Sequence, residues 1–172
     1  MKLDAKALRI SKPTQSDLRK VKRRQIYIIC DNILDTYNIG SIFRLADAVA
    51  AQKIYLCANT ETPPNSRISK AAVGTDKWVP WDQMDTAVGA ISALRSAHSD
   101  LTVIAIEQSS KSTDYRKVDF TEPVAFIIGH ETSGVSEEAL KVCDQIVEIP
   151  MFGVNCSLNV MVSLAIVLFK VI

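Results

Sequence analysis

Three short stretches of this chain hold polar groups in patterns that could do chemistry. The first is Asn38-Ile-Gly-Ser-Ile-Phe-Arg44. Asn38 falls at an expected helix start, where its side chain can cap free backbone donors, and Gly40 falls where the backbone must approach something closely. Arg44 then lies on the first turns of that helix and can project a planar cation into a cleft, either to grip a phosphate or to stabilise charge developing on a hydroxyl. A guanidinium is effectively always protonated, which makes Arg44 a poor base. The second stretch, Phe126-Ile-Ile-Gly-His-Glu-Thr-Ser-Gly134, ends an apolar run at Gly129 and resumes at Gly134, a glycine pair that permits a chain to curve tightly around a ligand. Glu131 puts a charge at the mouth of that run, His130 reads as a non-catalytic neighbour, and Ser136 is the expected cap of the next helix. The third, Glu148-Ile-Pro-Met-Phe-Gly-Val-Asn-Cys-Ser-Leu-Asn-Val160, gives a strand end, a turn over 151–153, and Ser157 and Asn159 at the start of the last helix, with Ser157 as its expected cap.

The elements that must position these groups alternate. Strands are expected over 25–30, 53–57, 101–106, 124–128 and 145–149, from short β-branched and aromatic runs bounded by turn residues. Helices are expected over 39–50, 69–73, 86–97, 137–142 and 158–169, from apolar spacing of three and four. Residues 58–65 read as a loop, and the proline in Trp78-Val-Pro-Trp81 confines that segment to a sheet edge. Such alternation predicts an α/β fold with a mostly parallel, Rossmann-like sheet covered by helices on both faces, and ligands then sit at the carboxyl ends of the strands. The loops after Cys30, Ile106, Ile128 and Ile149 are therefore the ones to watch. No G-x-G-x-x-G or G-x-x-x-x-G-K-[ST] pattern follows any strand, which argues against a generic nucleotide-binding domain.

In order, spacing and placement after strands, the three stretches resemble the SpoU/TrmH branch of the SPOUT RNA methyltransferases, over essentially the whole chain from Tyr27 onward. The resemblance implies a C-terminal deep trefoil knot, a homodimer, S-adenosyl-L-methionine as cofactor, and transfer of its methyl group to a ribose 2′-hydroxyl of tRNA or rRNA. It places Asn38, Arg44, Glu131, Ser157 and Asn159 in the catalytic region. It gives the cofactor to Ile106 and Glu107, to Ile128, Gly129 and Gly134, and to Ile149, Met151, Ser157 and Leu158. The acceptor of the hydroxyl proton stays open between a substrate phosphate, water and Glu131. The chain departs from the family's pattern by carrying Met161 and Leu164 where relatives more often place small residues. A catalytically inactive RNA-binding protein of the same fold is the alternative, and binding of S-adenosylmethionine separates the two.

Composition agrees with one compact domain: 172 residues, 48% of them hydrophobic, suffice to build a real core. The net charge of +1 hides an asymmetry. Residues 1–24 carry nine Lys or Arg against two acids, a net of +7, and the remaining 148 carry eleven against seventeen, a net of −6. A basic arm over 1–24 ahead of a methyltransferase domain over 25–172 is the expected organisation, with Arg9, Lys12, Arg19, Lys20, Lys22, Arg23 and Arg24 supplying RNA phosphate contacts. A solvated tail is the plain alternative. Apolar stretches are about half of what a bilayer span needs, and no secretory leader is legible, so a cytoplasmic protein is expected. Cys30, Cys57, Cys143 and Cys156 lack the spacing of a zinc site, and neither metal nor disulfide is expected.

Overall fold

The computed structural model of the chain describes residues 2–172. Seven strands form one sheet in the order β3-β2-β1-β6-β4-β7-β5, and every recorded pairing is parallel. They are β1 (Arg24–Asp31), β2 (Ala51–Cys57), β3 (Trp81–Met84), β4 (Thr102–Ile106), β5 (Thr113–Asp114), β6 (Val124–Gly129) and β7 (Gln145–Glu148). The central strand β6 is buried along its whole length, as its unbroken run of Val, Ala, Phe and Ile demands. Alternate residues feed two cores. Ile26, Ile28, Cys30 and Phe126 pack on one face with α3 (Thr36–Ala48) and α7 (Val160–Leu168), and Tyr27, Ile29 and Ile127 pack on the other with α5 (Ala87–Ala97). Two further helices, α4 (Ser66–Ala72) and α6 (Glu137–Val142), complete the cover. The chain order reverses between β1 and β6, so a crevice at the carboxyl ends of the central strands follows from topology.

Residues 2–24 are not a loose tail. They form α1 (Ala5–Ile10), capped by Asp4, and α2 (Gln15–Lys20), closed by a Thr14–Asp17 capping box. The pair is tied to the body: the Trp78 indole N–H donates to Ser11 Oγ at 3.0 Å, Lys77 Nζ donates to the Arg9 carbonyl, and Gly74, at φ +92°, lies so close to the Leu8 carbonyl that no Cβ fits there. Periodicity could not reveal these helices, because each has six residues and neither has a buried face.

Several expected boundaries shift for local reasons. Asn38 does not cap α3; Asp35 does, its carboxylate accepting the Tyr37 N–H at 2.8 Å, and Asn38 is buried inside the first turn. Ser157 does not cap α7; Asn159 does, accepting from Met161 and Val162. Ser136 occupies the cap position of α6, yet its hydroxyl makes no capping bond and its N–H donates instead to Asp31 Oδ2 at 2.9 Å. Gly40 is needed for helix packing: a Cβ there would meet the Ile68 carbonyl at 2.5 Å, which locks α3 against α4. The segment 78–81 lies at the edge as expected, but the strand itself begins at Trp81. Leu164 is fully buried in the core, and Met161 packs against it. No helix among the described residues is long and apolar enough to cross a membrane.

Candidate active site

A cavity of about 590 Å³ opens at the carboxyl ends of β4, β6 and β7. Its walls are the loop after Ile106, the turn 129–134 and the segment 149–159, so the structure brings together Ile106, Glu107, Ile128, Gly129, Gly134, Ile149, Met151, Ser157 and Leu158, with Glu131 and Asn159 at the same cleft. The size suits a small organic cofactor. The chemistry of the lining is selective: Glu107, Glu131 and Glu148 face the cavity, and no Lys or Arg does. A cleft with only acidic charges repels phosphates and favours a cationic ligand.

The turn is built by backbone proximity. At Gly129 a Cβ would collide with the backbone of Gly134 and Val135, and His130 and Gly134 exchange backbone hydrogen bonds at 3.0 and 2.9 Å. Gly134, at φ +72°, leaves no room for a Cβ beside the Glu107 carboxylate. Glu107 Oε2 accepts the Val135 N–H at 2.9 Å and Oε1 accepts the Gln108 N–H at 2.8 Å, so this residue braces the turn from across the cleft. Gln108, which sequence reasoning missed, donates through Nε2 to the Cys156 carbonyl at 2.5 Å and ties the β4 end to the third loop. His130 organises its own turn, with Nδ1 accepting from the N–H groups of Thr132 and Ser133. Asp31 was also missed. It is a buried carboxylate at the end of β1, and its bond to Ser136 holds the start of α6.

All three motifs meet through one polar chain. Asn159 Nδ2 donates to Asn38 Oδ1 at 2.9 Å, and Asn38 Nδ2 donates to Glu131 Oε1 at 3.0 Å. Glu131 accepts further from the N–H of Asp35 on Oε1 and of Leu34 on Oε2. Burial alone would raise the Glu131 carboxyl, but the bonds from Asn38 and from backbone N–H groups, including those of Asp35 and Leu34, outweigh it and hold the acid below its ordinary 4.5. A carboxylate so occupied is a poor proton acceptor, which leaves Glu131 a positioning residue.

Arg44 does not converge on this cleft. It is exposed on α3, it is not among the cavity's lining residues, and its side chain makes no hydrogen bond or ion pair among the described residues. Of the expected RNA contacts, Arg9, Lys12, Arg19, Lys20 and Lys22 are exposed. Arg23 and Arg24 are committed elsewhere: Arg23 donates to the carbonyls of Ala51 and Trp78, and Arg24 pairs with Glu122 at 2.6 Å and donates to the Val171 carbonyl.

The cysteines differ sharply. Cys30 and Cys57 are buried, and burial pushes the Cys57 thiol up to about 12. Cys156 is exposed on the cavity wall. Iodoacetamide should therefore modify Cys156 first, and a ligand filling the cavity should slow that modification; peptide mass mapping checks both. No group of three or more His, Cys, Asp or Glu among the described residues is arranged to hold a metal.

A parallel α/β sheet with a glycine-bounded, acid-lined cavity at its strand ends, and an asparagine–glutamate chain beside it, makes a site suited to a cationic small molecule. The profile of the SpoU rRNA Methylase family matches residues 25–169, and the chain belongs to that family. It is 29% identical over 150 residues to a tRNA (guanosine(18)-2′-O)-methyltransferase of Aquifex aeolicus, covering 87% of this chain and 69% of the relative. It is 33% identical over 152 residues to the protein of the same name from Thermus thermophilus, covering 87% and 76%. Among solved structures, the SpoU methyltransferase AviRb from Streptomyces viridochromogenes in complex with AdoMet superposes with a TM-score of 0.78 at 26% identity, covering 90% of this chain and 63% of that one.

Proposed function

We propose that this protein transfers the methyl group of S-adenosylmethionine to a ribose 2′-hydroxyl of RNA, with tRNA as the first substrate class to test. The observation that carries the reading is the cavity itself, walled by the second and third motifs with a lining free of Lys and Arg, and joined to the first motif through the hydrogen bonds of Asn38 to Glu131 and Asn159. When bound there, S-adenosylmethionine supplies an electrophilic methyl group on a sulfonium. The residues that fit it are the Gly129 and Gly134 turn, the backbone at Ile149 and Leu158, and the carboxylates that balance its positive charge. Ser157 and Asn159 line the reaction side. The Asn159–Asn38–Glu131 chain fixes the orientation of the Asn38 amide and the path of the segment before α3, so that a ribose meets a prearranged surface. Arg44 meets the substrate from the open side as a phosphate or alkoxide partner. The proton leaves to water or to a substrate phosphate, since Glu131 is saturated with donors. Against an inactive RNA-binding protein, calorimetry is the first separation: S-adenosylmethionine should bind at micromolar levels, about −8 kcal/mol, and raise the melting temperature. No binding at millimolar cofactor would defeat the proposal.

The reading extends to assembly and location. A homodimer would cover α7, an almost wholly apolar helix that leaves Val162 exposed and carries exposed Phe169 at its C-cap, and the exposed Phe152 and Val154 are further apolar side chains it could cover. The C-terminal knot and a cytoplasmic setting belong to the same proposal. The helical pair α1–α2 is its RNA-facing surface. Because that pair also packs on Trp78 and Gly74, deletion would damage the fold, and charge removal is the cleaner experiment. Replacing Arg9, Lys12, Arg19, Lys20 and Lys22 together by Gln should flatten the salt dependence of tRNA binding, by roughly 0.9 in log–log slope per lost phosphate contact, with cofactor affinity unchanged. An unchanged slope would make these residues a solvated face.

A further inference from the structure

His130 is the one histidine on the cavity wall, and half of its ring is already used. Nδ1 accepts the N–H groups of Thr132 and Ser133 at 3.0 and 3.2 Å, while the residue's own N–H and carbonyl exchange hydrogen bonds with Gly134. A ring nitrogen that accepts from two backbone donors carries no hydrogen, so the neutral imidazole keeps its proton on Nε2. The turn thus sets the tautomer as well as the path of the chain. Nε2–H has no partner among the described residues, and the side chain is only partly covered. With Nδ1 occupied, His130 offers a bound molecule one donor and no acceptor.

The rest of the lining points to what that donor meets. Glu107, Glu131 and Glu148 are the charged side chains there, and each is held by protein donors. Glu107 accepts from the N–H groups of Gln108 and Val135, Glu131 from those of Leu34 and Asp35 and from Asn38, and Glu148 from the Ser112 hydroxyl at 2.7 Å. These acids suit the sulfonium and ammonium groups of S-adenosylmethionine, but they repel its carboxylate. No Lys or Arg stands on the described lining to pair with that group. A carboxylate in such a cavity needs a fixed donor with no lone pair of its own turned toward it. The hydroxyls of Thr132, Ser157 and Ser163 and the amides of Gln108 and Asn155 carry acceptor oxygens beside their hydrogens, whereas the His130 ring presents a hydrogen alone. We propose that His130 is the carboxylate-binding residue of the cofactor site, donating through Nε2–H to the carboxylate of S-adenosylmethionine, with the Thr132 and Ser133 N–H groups holding the ring in the tautomer this requires. The assignment rests on S-adenosylmethionine as the ligand of the cavity and on the tautomer for the residue.

The test is calorimetry on the full-length protein with S-adenosylmethionine and with decarboxylated S-adenosylmethionine, which lacks only that carboxylate. Decarboxylation raises the ligand's net positive charge, which acidic walls favour, so a preference for the intact cofactor has to come from a donor. Wild-type protein should bind S-adenosylmethionine on the order of tenfold more tightly than the decarboxylated form, the scale of one hydrogen bond to a charged group. His130→Asn can keep an acceptor for Thr132 and Ser133 but has no atom in the place of Nε2, and it should lose the preference. His130→Gln, whose amide nitrogen reaches about as far as Nε2, should recover part of it. Long-range ¹H–¹⁵N NMR spectra at mildly alkaline pH should show the ring protonated on Nε2 alone, with that nitrogen's resonance moved more by S-adenosylmethionine than by the decarboxylated form. Equal binding of the two ligands by wild type, a preference that survives in His130→Asn, or a ring protonated on Nδ1 overturns the assignment. Failure of wild type to bind either ligand is a different result and overturns the cofactor site itself.

Discussion

Arg44→Ala should lower methyl transfer by at least about a hundredfold while the protein folds and binds S-adenosylmethionine as before. The loss follows from the role proposed for Arg44 on the substrate side: removing a donor that meets developing negative charge costs about 3 kcal/mol or more in the transition state. The selectivity follows from placement. Arg44 is exposed on α3 and makes no contact that folding needs, so its removal should change stability by no more than about 0.5 kcal/mol. It lies outside the cavity lining, so calorimetric cofactor affinity should stay constant. Arg44→Lys should rescue little, because an ammonium cannot reproduce a planar two-pronged contact. The pH profile of the Ala variant should keep the wild-type shape at a lower level, since a guanidinium contributes no titrating limb. Turnover within a few-fold of wild type would remove Arg44 from the mechanism.

Glu131→Gln should give the second large effect, by a different route. The carboxylate accepts from two backbone N–H groups and from Asn38, and an amide in its place presents one oxygen and two hydrogens to the same donors. The segment before α3 and the Asn38 side chain should both shift, and a displacement of about 1 Å in a reacting group costs on the order of a hundredfold in rate. The site faces solvent, so the stability loss should be near 1 kcal/mol, the low end for unsatisfied donors. The acid limb gives an independent readout. The folded-state acid of Glu131 lies below its ordinary 4.5, so its contribution to stability is complete above that value and is lost as pH falls through the lowered one. The Gln variant should lack that part of the acid-induced loss in a thermal melt series. A wild-type acid limb would show that the carboxylate's hydrogen bonds do not contribute to stability, and a Gln variant with full activity would show that the hydrogen-bonded chain has no bearing on transfer.

The parallel α/β sheet was legible because long β-branched runs such as Val124–Gly129 leave little choice about burial, and the three motifs were legible because they interrupt those runs with glycine and unpaired polar residues. What periodicity could not show were the partners. Asn38 looks like a helix cap from its position near Gly40, yet Asp35, three residues earlier, takes that role and frees Asn38 to bind Glu131 and Asn159, 93 and 121 residues away in sequence. Arg23 and Arg24 read as part of a basic run, but carbonyls at Ala51, Trp78 and Val171 and the Glu122 carboxylate claim them. Gln108 carries no local signal, because its significance is a single bond to Cys156 across the cleft. Long-range pairings of this kind depend on which loops the sheet order brings side by side, and the order β6-β4-β7 is not written in any one segment.

Nucleoside analysis of the product shows whether the methyl group goes to the ribose 2′-hydroxyl. Unmodified tRNA transcripts incubated with the protein and methyl-labelled S-adenosylmethionine, digested to nucleosides and separated by liquid chromatography with mass spectrometry, should yield label in a 2′-O-methylated nucleoside, with the extra methyl on the ribose fragment. Label on a base fragment, or none in any RNA offered to a protein that binds the cofactor, would contradict the account.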